Sequence, residues 1–382
     1  MAKALLVDTN FSSWPILREL EGWGHEVHVV GANPADALAK AHPRYHPLDY
    51  SDTEALARLV DSLSVEHLVP GCNDRSYISC AAVAAKTGHA CIDSVTNTAN
   101  INDKSMFRDL AQRFGLSIPR VFDWPREAPA RPVIVKPVDA FSGKGITVVR
   151  DSSSAALQAA SETATAASRS GRFLVEEFVE GQMYSHSAFV AGGLIVQDFW
   201  VVEHSSMNPF VVDVSHIARD LAEPIRANMR SEMERMAQGA GLVDGLIHAQ
   251  FIVDGGRHVI VEVTRRCPGD LYSQLIELST GYRYAQAYAA PFVDRKAASG
   301  KLEERFIMRH TLTGNTTVAL EHLRFCDPIR IERWVPLATS GDELRPSPLG
   351  RIGILFAGAV SYPQLLELAQ LTRAHRLYQL NS

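Results

Sequence analysis

Residues 248–270, HAQFIVDGGRHVIVEVTRRCPGD, constrain the fold of this chain more than any other stretch. The tripeptide DGG at 254–256 separates two runs rich in β-branched residues, a pattern typical of an antiparallel hairpin. Side chains alternate between the two faces of a strand, and residues opposite each other across a hairpin share a face. A two-residue loop pairs Gln250 with Val261 and mixes polar and apolar side chains. We therefore predict a three-residue loop at 255–257.

The predicted register gives the hairpin one polar face and one apolar face. It places Gln250 opposite Glu262 and His248 opposite Thr264. The apolar face then consists of Ala249, Phe251, Val253, Val259, Val261 and Val263. The amide oxygen of Gln250 and the carboxylate of Glu262 lie close enough to share a hard cation such as Mg²⁺, which also keeps positions for water and substrate phosphates. The alternative is a solvated face with one cross-strand polar pair.

Two further segments carry groups that suit anions. Arg265 and Arg266 follow the hairpin directly, and guanidinium groups bind phosphate or carboxylate well. The glycine-rich segment DAFSGKG at 139–145 lies between predicted strands at 133–137 and 146–149, so its backbone N–H groups can fold over phosphates. It is not a Walker loop, because GxxxxGK[ST] and a following helix are both absent.

Composition narrows the class of protein. A chain of 382 residues is long enough for two or three domains, and a net charge of −5 argues against a general nucleic-acid binder. The five cysteines are odd in number and lack metal-ligand spacing, which indicates reduced thiols in a cytoplasmic protein. The apolar run at 4–7 is too short for a signal peptide, and no run reaches the roughly 18 apolar residues of a membrane span.

The N-terminal third has the pattern of a parallel α/β sheet. Residues 3–31 alternate strand, helix and strand, which predicts a Rossmann-like unit, but no GxGxxG fingerprint follows the first strand. A strand at 67–70 ends at polar residues Asn73 and Asp74, where open α/β sheets bind ligands. These residues either touch substrate or cap the next helix, and capping is the commoner use. One helix is predicted over 100–116.

Four segments in this order resemble the ATP-grasp superfamily over about residues 1–300: NDKSMFR, VIVKPVDAFSGKGI, LVEEFVEG and HAQF…VEVTRR. The resemblance implies a nucleotide held between two α+β subdomains behind a Rossmann-like domain, in a mixed α/β and α+β fold. The implied divisions are a Rossmann-like domain (1–93), an ATP-grasp domain (94–300, with a lid subdomain at about 120–180) and a C-terminal α+β segment (301–382).

The resemblance also assigns roles to residues of this sequence. Lys104 and Lys136 match the two lysines on the ATP phosphates, and the apolar surroundings of Lys136 argue against an ordinary exposed lysine. The loop over the phosphates matches Ser142, Gly143 and Lys144, and the adenine hinge matches Glu176, Glu177, Phe178 and Val179. The ligands of Mg²⁺, or Mn²⁺, match Gln250, Glu262 and Thr264. His248 and Arg266, together with Lys144, match groups that stabilise the transferred phosphoryl or the acylphosphate.

Three positions depart from the family pattern. Met183 stands where an acidic residue usually grips the ribose hydroxyls, and Thr264 stands where an asparagine is usual. Arg265 stands where proline or a small residue is common, so we expect a more basic anion site. Because both lysines and Glu262 remain, we expect an active enzyme.

The resemblance implies an ATP-dependent carboxylate–amine ligase that forms an amide through an acylphosphate, acting on amino acids or similar small acids. The alternatives are a bicarbonate-activating carboxylase or carbamoyl-phosphate-type enzyme, and a nucleotide-binding protein without catalysis. A dehydrogenase is least expected. The expected partners are small-molecule carboxylate and amine substrates, with no nucleic acid and no membrane, and a homodimer is a family-level expectation. Single residues considered for the substrate pocket are Asn73, Asp74, His204, His216 and Arg309.

Overall fold

The structure is a computed structural model that describes residues 2–140, 143–151, 153–296 and 302–381. The predicted loop residue Ser142 lies outside the described residues. The N-terminal part confirms the predicted parallel sheet, whose strand order is β3–β2–β1–β4. Its elements are β1 (Lys3–Val7), α1 (Trp14–Gly22), β2 (Glu26–Gly31), α2 (Ala37–Ala41), β3 (Tyr45–Pro47), α3 (Thr53–Leu63), β4 (His67–Pro70) and α4 (Asp74–Thr87).

The segment after the first sheet forms two helices where one was predicted. These are α5 (Val95–Asn102) and α6 (Lys104–Arg113). Asp103 separates them in an extended conformation, and its carboxylate accepts hydrogen bonds from the backbone N–H groups of Ser105 and Met106. The aspartate therefore caps a new helix that begins at Lys104.

A small antiparallel sheet follows, with the strand order β5–β8–β6–β7. Its elements are β5 (Val121–Phe122), β6 (Val133–Pro137), β7 (Thr147–Val149), α7 (Ser154–Ala167) and β8 (Phe173–Glu177). Helix α7 covers one face, where Val133, Val135 and Val175 pack against Leu157 and Ala164. The intervening residues of β6 and β8 lie on the opposite face of the sheet. Two of them, Lys136 and Glu176, form an ion pair.

A larger antiparallel sheet has the strand order β13–β12–β9–β10–β11–β14–β19–β17. Its first part contains β9 (Gln182–Ala191), β10 (Leu194–His204), β11 (Val214–Ile217), α8 (Glu223–Ala240), β12 (Gly245–Asp254) and β13 (Arg257–Thr264). The chain continues with α9 (Tyr272–Thr280), α10 (Tyr284–Ala289), β14 (Phe306–Thr313), β15 (Val318–Ala319), β16 (Leu323–Phe325), β17 (Arg330–Pro336), β18 (Glu343–Leu344), β19 (Arg351–Ala359), α11 (Tyr362–Arg373) and β20 (Tyr378–Leu380). Because β14, β17 and β19 extend the same sheet, the C-terminal segment is continuous with the sheet before it. The predicted boundaries at 93 and 300 stay predictions.

The hairpin of β12 and β13 has the predicted polar pairs but not the predicted loop. Gln250 lies opposite Glu262, and His248 lies opposite Thr264. The three-residue loop is wrong, since Asp254 pairs with Arg257 across a two-residue turn. The register shifts by one residue beyond Gln250, and the extra residue of this β-bulge is Val261. The prediction failed because it assumed an uninterrupted ladder.

The bulge also changes the apolar face. Ile260 pairs with Phe251, and both side chains are fully buried. Val261, which was predicted at that place, is only half-buried. Its carbonyl oxygen instead accepts a hydrogen bond of 2.7 Å from the Arg108 guanidinium.

The N-terminal sheet and the later helices share one hydrophobic core. Leu5, Val29 and Tyr77 belong to the same buried cluster as Leu275 and Tyr284. The packing places the loop after β4 against the residues that follow β13. None of the helices in the described ranges has both the length and the apolar character needed to cross a bilayer.

Candidate active site

A narrow cleft lies where helices α4, α5 and α6 meet strand β13. Lys104 and Glu262, two of the predicted site residues, both line it, as do Thr264 and Asp74. Strand alternation turns Glu262 and Thr264 to one face of β13, and the start of α6 places Lys104 beside them. The Lys104 ammonium donates to the carbonyl of Ala140, 2.9 Å away, at the start of the glycine-rich segment.

Gln250, on β12, lies opposite the cleft residue Glu262. Its side-chain nitrogen donates to the Glu203 carboxylate at 2.6 Å, which leaves its oxygen as the free acceptor of the amide. In the described ranges, no cluster of three or more His, Cys, Asp or Glu side chains has the geometry to hold a metal ion. Gln250 and Glu262 therefore offer hard oxygen ligands of a partial site, which fits a Mg²⁺ ion that takes its other ligands from phosphates and water.

The predicted phosphate lysine Lys136 belongs to a buried ionic cluster. Its ammonium lies 2.6 Å from the Glu176 carboxylate, which the Arg108 guanidinium also holds at 2.6 and 3.3 Å. Burial lowers the pKa of Lys136 to about 8, although Glu176 opposes that shift. Burial acts to raise the pKa of Glu176, but Lys136 and Arg108 outweigh it and lower the pKa to about 2. Two cations share one carboxylate, so the cluster carries an excess positive charge.

The predicted adenine hinge follows directly from this cluster. Glu176 points its side chain into the cluster, whereas the Glu177 carboxylate pairs with Arg131 at 3.3 Å and Arg257 at 2.9 Å. The backbone N–H groups of Glu177 and Phe178 donate to the carbonyls of Arg120 and Pro132. Val179 is buried. The hinge is thus fixed to the small sheet on one side and to the hairpin turn on the other.

The glycine-rich segment is folded by two glycines with positive φ. Gly143 has φ +72°, and a Cβ built on it would lie 2.8 Å from the Cβ of Phe210, in the β10–β11 connection. Gly145 has φ +73°, and a Cβ there would lie 2.3 Å from the Cβ of Ala167. Neither position accepts a side chain without movement. Lys144, between them, is exposed.

Asp74 connects the N-terminal sheet to the site. The Arg266 guanidinium forms two hydrogen bonds with its carboxylate, at 2.9 and 3.2 Å, and the Thr264 hydroxyl donates to it at 3.0 Å. Burial acts to raise the pKa of Asp74, but Arg266 outweighs it and the net pKa is lowered. Asn73, not Asp74, caps helix α4, because its side chain accepts from the Ser76 N–H.

His248 is a buried, neutral imidazole. Its Nδ1 lies 2.8 Å from the Ser187 hydroxyl, which also lies 3.0 Å from the Tyr284 hydroxyl. Burial lowers the pKa of His248 to about 3, with Arg266 acting in the same direction. If Ser187 donates to Nδ1, the proton is on Nε2, so the imidazole is a neutral donor. His248 therefore suits hydrogen bonding to an oxyanion rather than ionic attraction.

The expectation for Arg265 is wrong. Its guanidinium is buried and donates to Asp93 at 2.6 Å and to the Leu246 carbonyl at 2.7 Å. It therefore holds the end of the N-terminal region against β12 and adds no charge to the anion site. Both arginines lie in the bend after β13, which ends at Thr264, and their side chains bind different aspartates.

Some of the single residues considered for the substrate pocket lie elsewhere. His204 and His216 line a separate groove of about 740 Å³ beside α11. Arg309 is buried and donates to the Asp270 carbonyl at 2.9 Å and to the Ser215 hydroxyl at 3.1 Å.

Sequence reasoning missed Arg108 and Glu203. Arg108 is four residues after Lys104, so both occupy one face of α6, and that spacing was an available signal. Glu203 directly follows the apolar run at 199–202 near the end of β10, and an acid on a buried strand signals a buried partner.

Comparisons with known proteins agree with this geometry. Residues 130–274 match the family model described as ATP-grasp domain. Over 291 residues the chain is 22% identical to phosphoribosylamine–glycine ligase from Pyrococcus furiosus, covering 70% of this chain and 66% of that protein. Over 180 residues it is 32% identical to formate-dependent phosphoribosylglycinamide formyltransferase from Burkholderia thailandensis, covering 43% of each. The matched part is thus less than two thirds of the length of these relatives.

A solved L-amino acid ligase from Bacillus licheniformis has the same fold. It superposes with a TM-score of 0.81 over 100% of this chain and 98% of that chain, at 17% identity. The predicted mixed α/β fold, with a parallel N-terminal sheet and antiparallel sheets after it, is confirmed. Residues 130–274 therefore match the ATP-grasp domain model, and the whole length of the chain has the fold of that L-amino acid ligase.

Proposed function

We propose that this protein is an ATP- and magnesium-dependent ligase that joins a carboxylate to an amine. The observation that supports it best is the cleft in which Lys104 faces Glu262, with Gln250 opposite Glu262 on the neighbouring strand. A phosphate-binding lysine beside two hard oxygen ligands suits a magnesium-bound triphosphate. The ATP-grasp match over 130–274 is consistent with this chemistry.

Gln250 and Glu262 would hold the Mg²⁺, with Thr264 as a third oxygen. When bound, the ion would neutralise charge on the phosphates and so favour phosphoryl transfer. The Thr264 hydroxyl donates to Asp74, so only its lone pairs remain for such a role. Mn²⁺, which also takes oxygen ligands, is expected to substitute.

The lysines would bind and orient the nucleotide. Lys104 and Lys136 come from different subdomains, so together they can hold a triphosphate between them. The excess positive charge of the buried Lys136–Glu176–Arg108 cluster favours an anion in front of it. Lys144, which is exposed, would reach the phosphates if the glycine-rich segment closes over them and excludes water. The backbone of Val179 and the carbonyl of Glu177 would read the base.

The proposed reaction has two steps. A carboxylate oxygen of the substrate attacks the γ-phosphorus of ATP, the bond to the β-phosphate oxygen breaks, and an acylphosphate and ADP form. The amine then attacks the acyl carbon, phosphate leaves, and the amine loses a proton. Arg266, held by Asp74, would orient the acylphosphate, and His248 would donate to the oxyanion as a neutral imidazole.

The substrates are proposed to be amino acids or similar small acids and amines. Two of the similar proteins carry glycine or L-amino acid in their names, and both match this chain over most of its length. A cytoplasmic location and a homodimer stay predictions.

The function is tested by measuring phosphate release from ATP and Mg²⁺ with an array of amino acids and small acids, singly and in pairs. We expect release that depends on one acid and one amine together. Lys136→Ala and Glu262→Ala should abolish it while the circular dichroism spectrum is kept. Turnover like that of the wild type in both variants would falsify the assignment.

Two arms of the same assay distinguish the alternatives. Release stimulated by bicarbonate without an organic acid would favour a bicarbonate-activating enzyme. Binding of ATP without release across the whole array would favour a nucleotide-binding protein without catalysis.

A further inference from the structure

The side-chain amide of Gln250 is held in one orientation by Glu203. Its nitrogen donates to Glu203 Oε2 at 2.6 Å. An amide presents a donor at one end and an acceptor at the other, so fixing the nitrogen decides where the oxygen points. Gln250 is on β12 and Glu203 on β10, with β9 between them, so the contact spans the sheet face next to Glu262.

Glu203 is itself fixed by its surroundings. Its side chain is buried, and Ser185, directly opposite Gln250 on β9, hydrogen-bonds to it. The Ser185 hydroxyl lies 3.0 Å from the Tyr272 hydroxyl, which extends the network to helix α9. Burial raises the pKa of Glu203, whereas the bonds from Ser185 and Gln250 lower it. A buried group with this many partners has little freedom to turn away from Gln250.

We propose that Glu203 is a positioning residue that turns the carbonyl oxygen of Gln250, rather than its NH₂ group, toward Glu262 and the divalent cation. The inference rests on the proposed function, because it assumes that Gln250 and Glu262 bind the cation. Partners that orient metal ligands in this way typically change metal affinity by roughly 10- to 100-fold when they are removed.

The same contact explains why an amide rather than an acid stands at position 250. A glutamate there would place a second carboxylate at hydrogen-bond distance from Glu203, with Glu262 on the adjacent strand. Like charges at that distance repel strongly on a partly buried surface. The carboxylate at position 203 therefore requires a hydrogen-bond donor at position 250. Exchanging the two residues should preserve a hydrogen bond between an amide and a carboxylate.

The test is the affinity for Mn²⁺ in the presence of ADP, measured by electron paramagnetic resonance, which requires no turnover. Glu203→Gln keeps an acceptor oxygen for Gln250, whereas Glu203→Met removes it at similar size. We expect Glu203→Met to weaken Mn²⁺ binding by roughly 10- to 100-fold and Glu203→Gln to stay near the wild type. A thermal melt of each variant shows whether it is folded.

If Glu203→Met does not fold, exchanging the residues at positions 203 and 250 provides a second test. Gln250→Glu alone should bind Mn²⁺ weakly, and adding Glu203→Gln should restore binding. The proposal is overturned if Glu203→Met binds like the wild type, if Glu203→Gln is as weak as Glu203→Met, or if the exchange restores nothing. Failure of the proposed function is separate: the wild type would not bind Mn²⁺ with ADP, or Glu262→Ala would bind as well as the wild type.

Discussion

At the scale of single residues, neighbours in the sequence have unlike roles. Arg265 and Arg266 follow one another, yet the first is bonded to Asp93 and the second to Asp74. Asn73 caps a helix, whereas Asp74 holds Arg266 and Thr264. The role of each of these residues therefore depends on the direction of its side chain as well as on its residue type.

Asp74→Asn should lower kcat/KM by roughly 10- to 100-fold, because the amide cannot accept both hydrogen bonds of Arg266 and that of Thr264. Steady-state kinetics with ATP as the varied substrate checks this. The matched control is Asn73→Ala, which removes the helix cap and should cost about 1 kcal/mol of stability with kcat/KM unchanged. Equal kinetic losses in the two variants would contradict the assigned roles.

The pH dependence should report Lys136. Burial lowers the pKa of its ammonium to about 8, so the group is charged below that pH and loses its proton above it. We expect kcat/KM for ATP to fall as pH rises through about 8. In Lys136→Arg the guanidinium stays charged, so the alkaline fall should move to higher pH, whereas Lys144→Arg should leave it in place. A profile that stays flat well above that pKa would show that Lys136 is not required in its charged form.

At the scale of elements, one helix and one hairpin hold the cleft together. Arg108 on α6 binds Glu176 on β8 and the carbonyl of Val261 in the bulge of β13. The bulge therefore frees the carbonyl oxygen of Val261, which in a regular ladder would accept a hydrogen bond within the hairpin. Lys104, one turn before Arg108 on the same helix, is brought to Glu262 by the same packing.

Arg108→Met should lower the free energy of unfolding by about 1 to 3 kcal/mol, because it removes the guanidinium that donates to the buried Glu176 carboxylate and to the Val261 carbonyl, while Lys136 still pairs with Glu176. Urea denaturation measures the change. In Arg108→Met with Glu176→Gln the loss should be smaller than the sum of the two single losses, since either change alone already breaks the Arg108–Glu176 ion pair. Additive losses would indicate that the two side chains do not interact.

The glycine-rich segment should tolerate no side chain at Gly145. A Cβ there would meet Ala167 at 2.3 Å, so Gly145→Ala must displace the segment and should lower kcat/KM for ATP at least tenfold. Gly171 is a matched control, because it has a similar φ of +70° but nothing within 4 Å of a Cβ added to it. Gly171→Ala should therefore cost about 1 kcal/mol in stability and leave kinetics unchanged. The prediction fails if both variants have the same ATP kinetics.

At the scale of the whole molecule, the N-terminal region completes the site from outside the segment that matches the ATP-grasp domain model. Asp74 contributes a carboxylate to the cleft, and Asp93 binds Arg265 just beyond the hairpin. Residues of β1, β2, α4, α9 and α10 form one hydrophobic core, which fixes the positions of the elements that carry these contacts. The relative position of the two parts therefore sets the geometry around Arg266.

Arg265→Met and Arg266→Met should separate stability from catalysis. Arg265→Met leaves Asp93 buried without its cation and should cost about 3 to 5 kcal/mol of stability, with little change in kcat at low temperature. Arg266→Met should instead lower kcat with a smaller loss of stability, because its side chain is less buried. Melting temperatures and kcat of both variants check this. The reverse pattern would contradict the roles given to the two arginines.

Much of the fold and part of the site were predictable from the sequence. Alternation and the DGG tripeptide predicted the hairpin and its Gln250–Glu262 pair, because a buried face fixes strand register. The bulge at Val261 was not predictable, because the Val261 carbonyl accepts a hydrogen bond from Arg108, which is far away in the sequence. The buried partners of Lys136, Gln250 and Arg265 were also missed. Alternation predicts the face of a strand on which a side chain lies, but it does not identify the residue of another element that contacts this side chain.

The most direct test of the proposed mechanism is the fate of an oxygen atom. Once the acid and amine substrates are known, the acid is supplied with ¹⁸O in its carboxylate, and the released phosphate is analysed by mass spectrometry. An acylphosphate intermediate requires that each phosphate carry one ¹⁸O atom from the acid. Phosphate free of label, with the departing ¹⁸O found in AMP or in water, would contradict the proposed ligase mechanism.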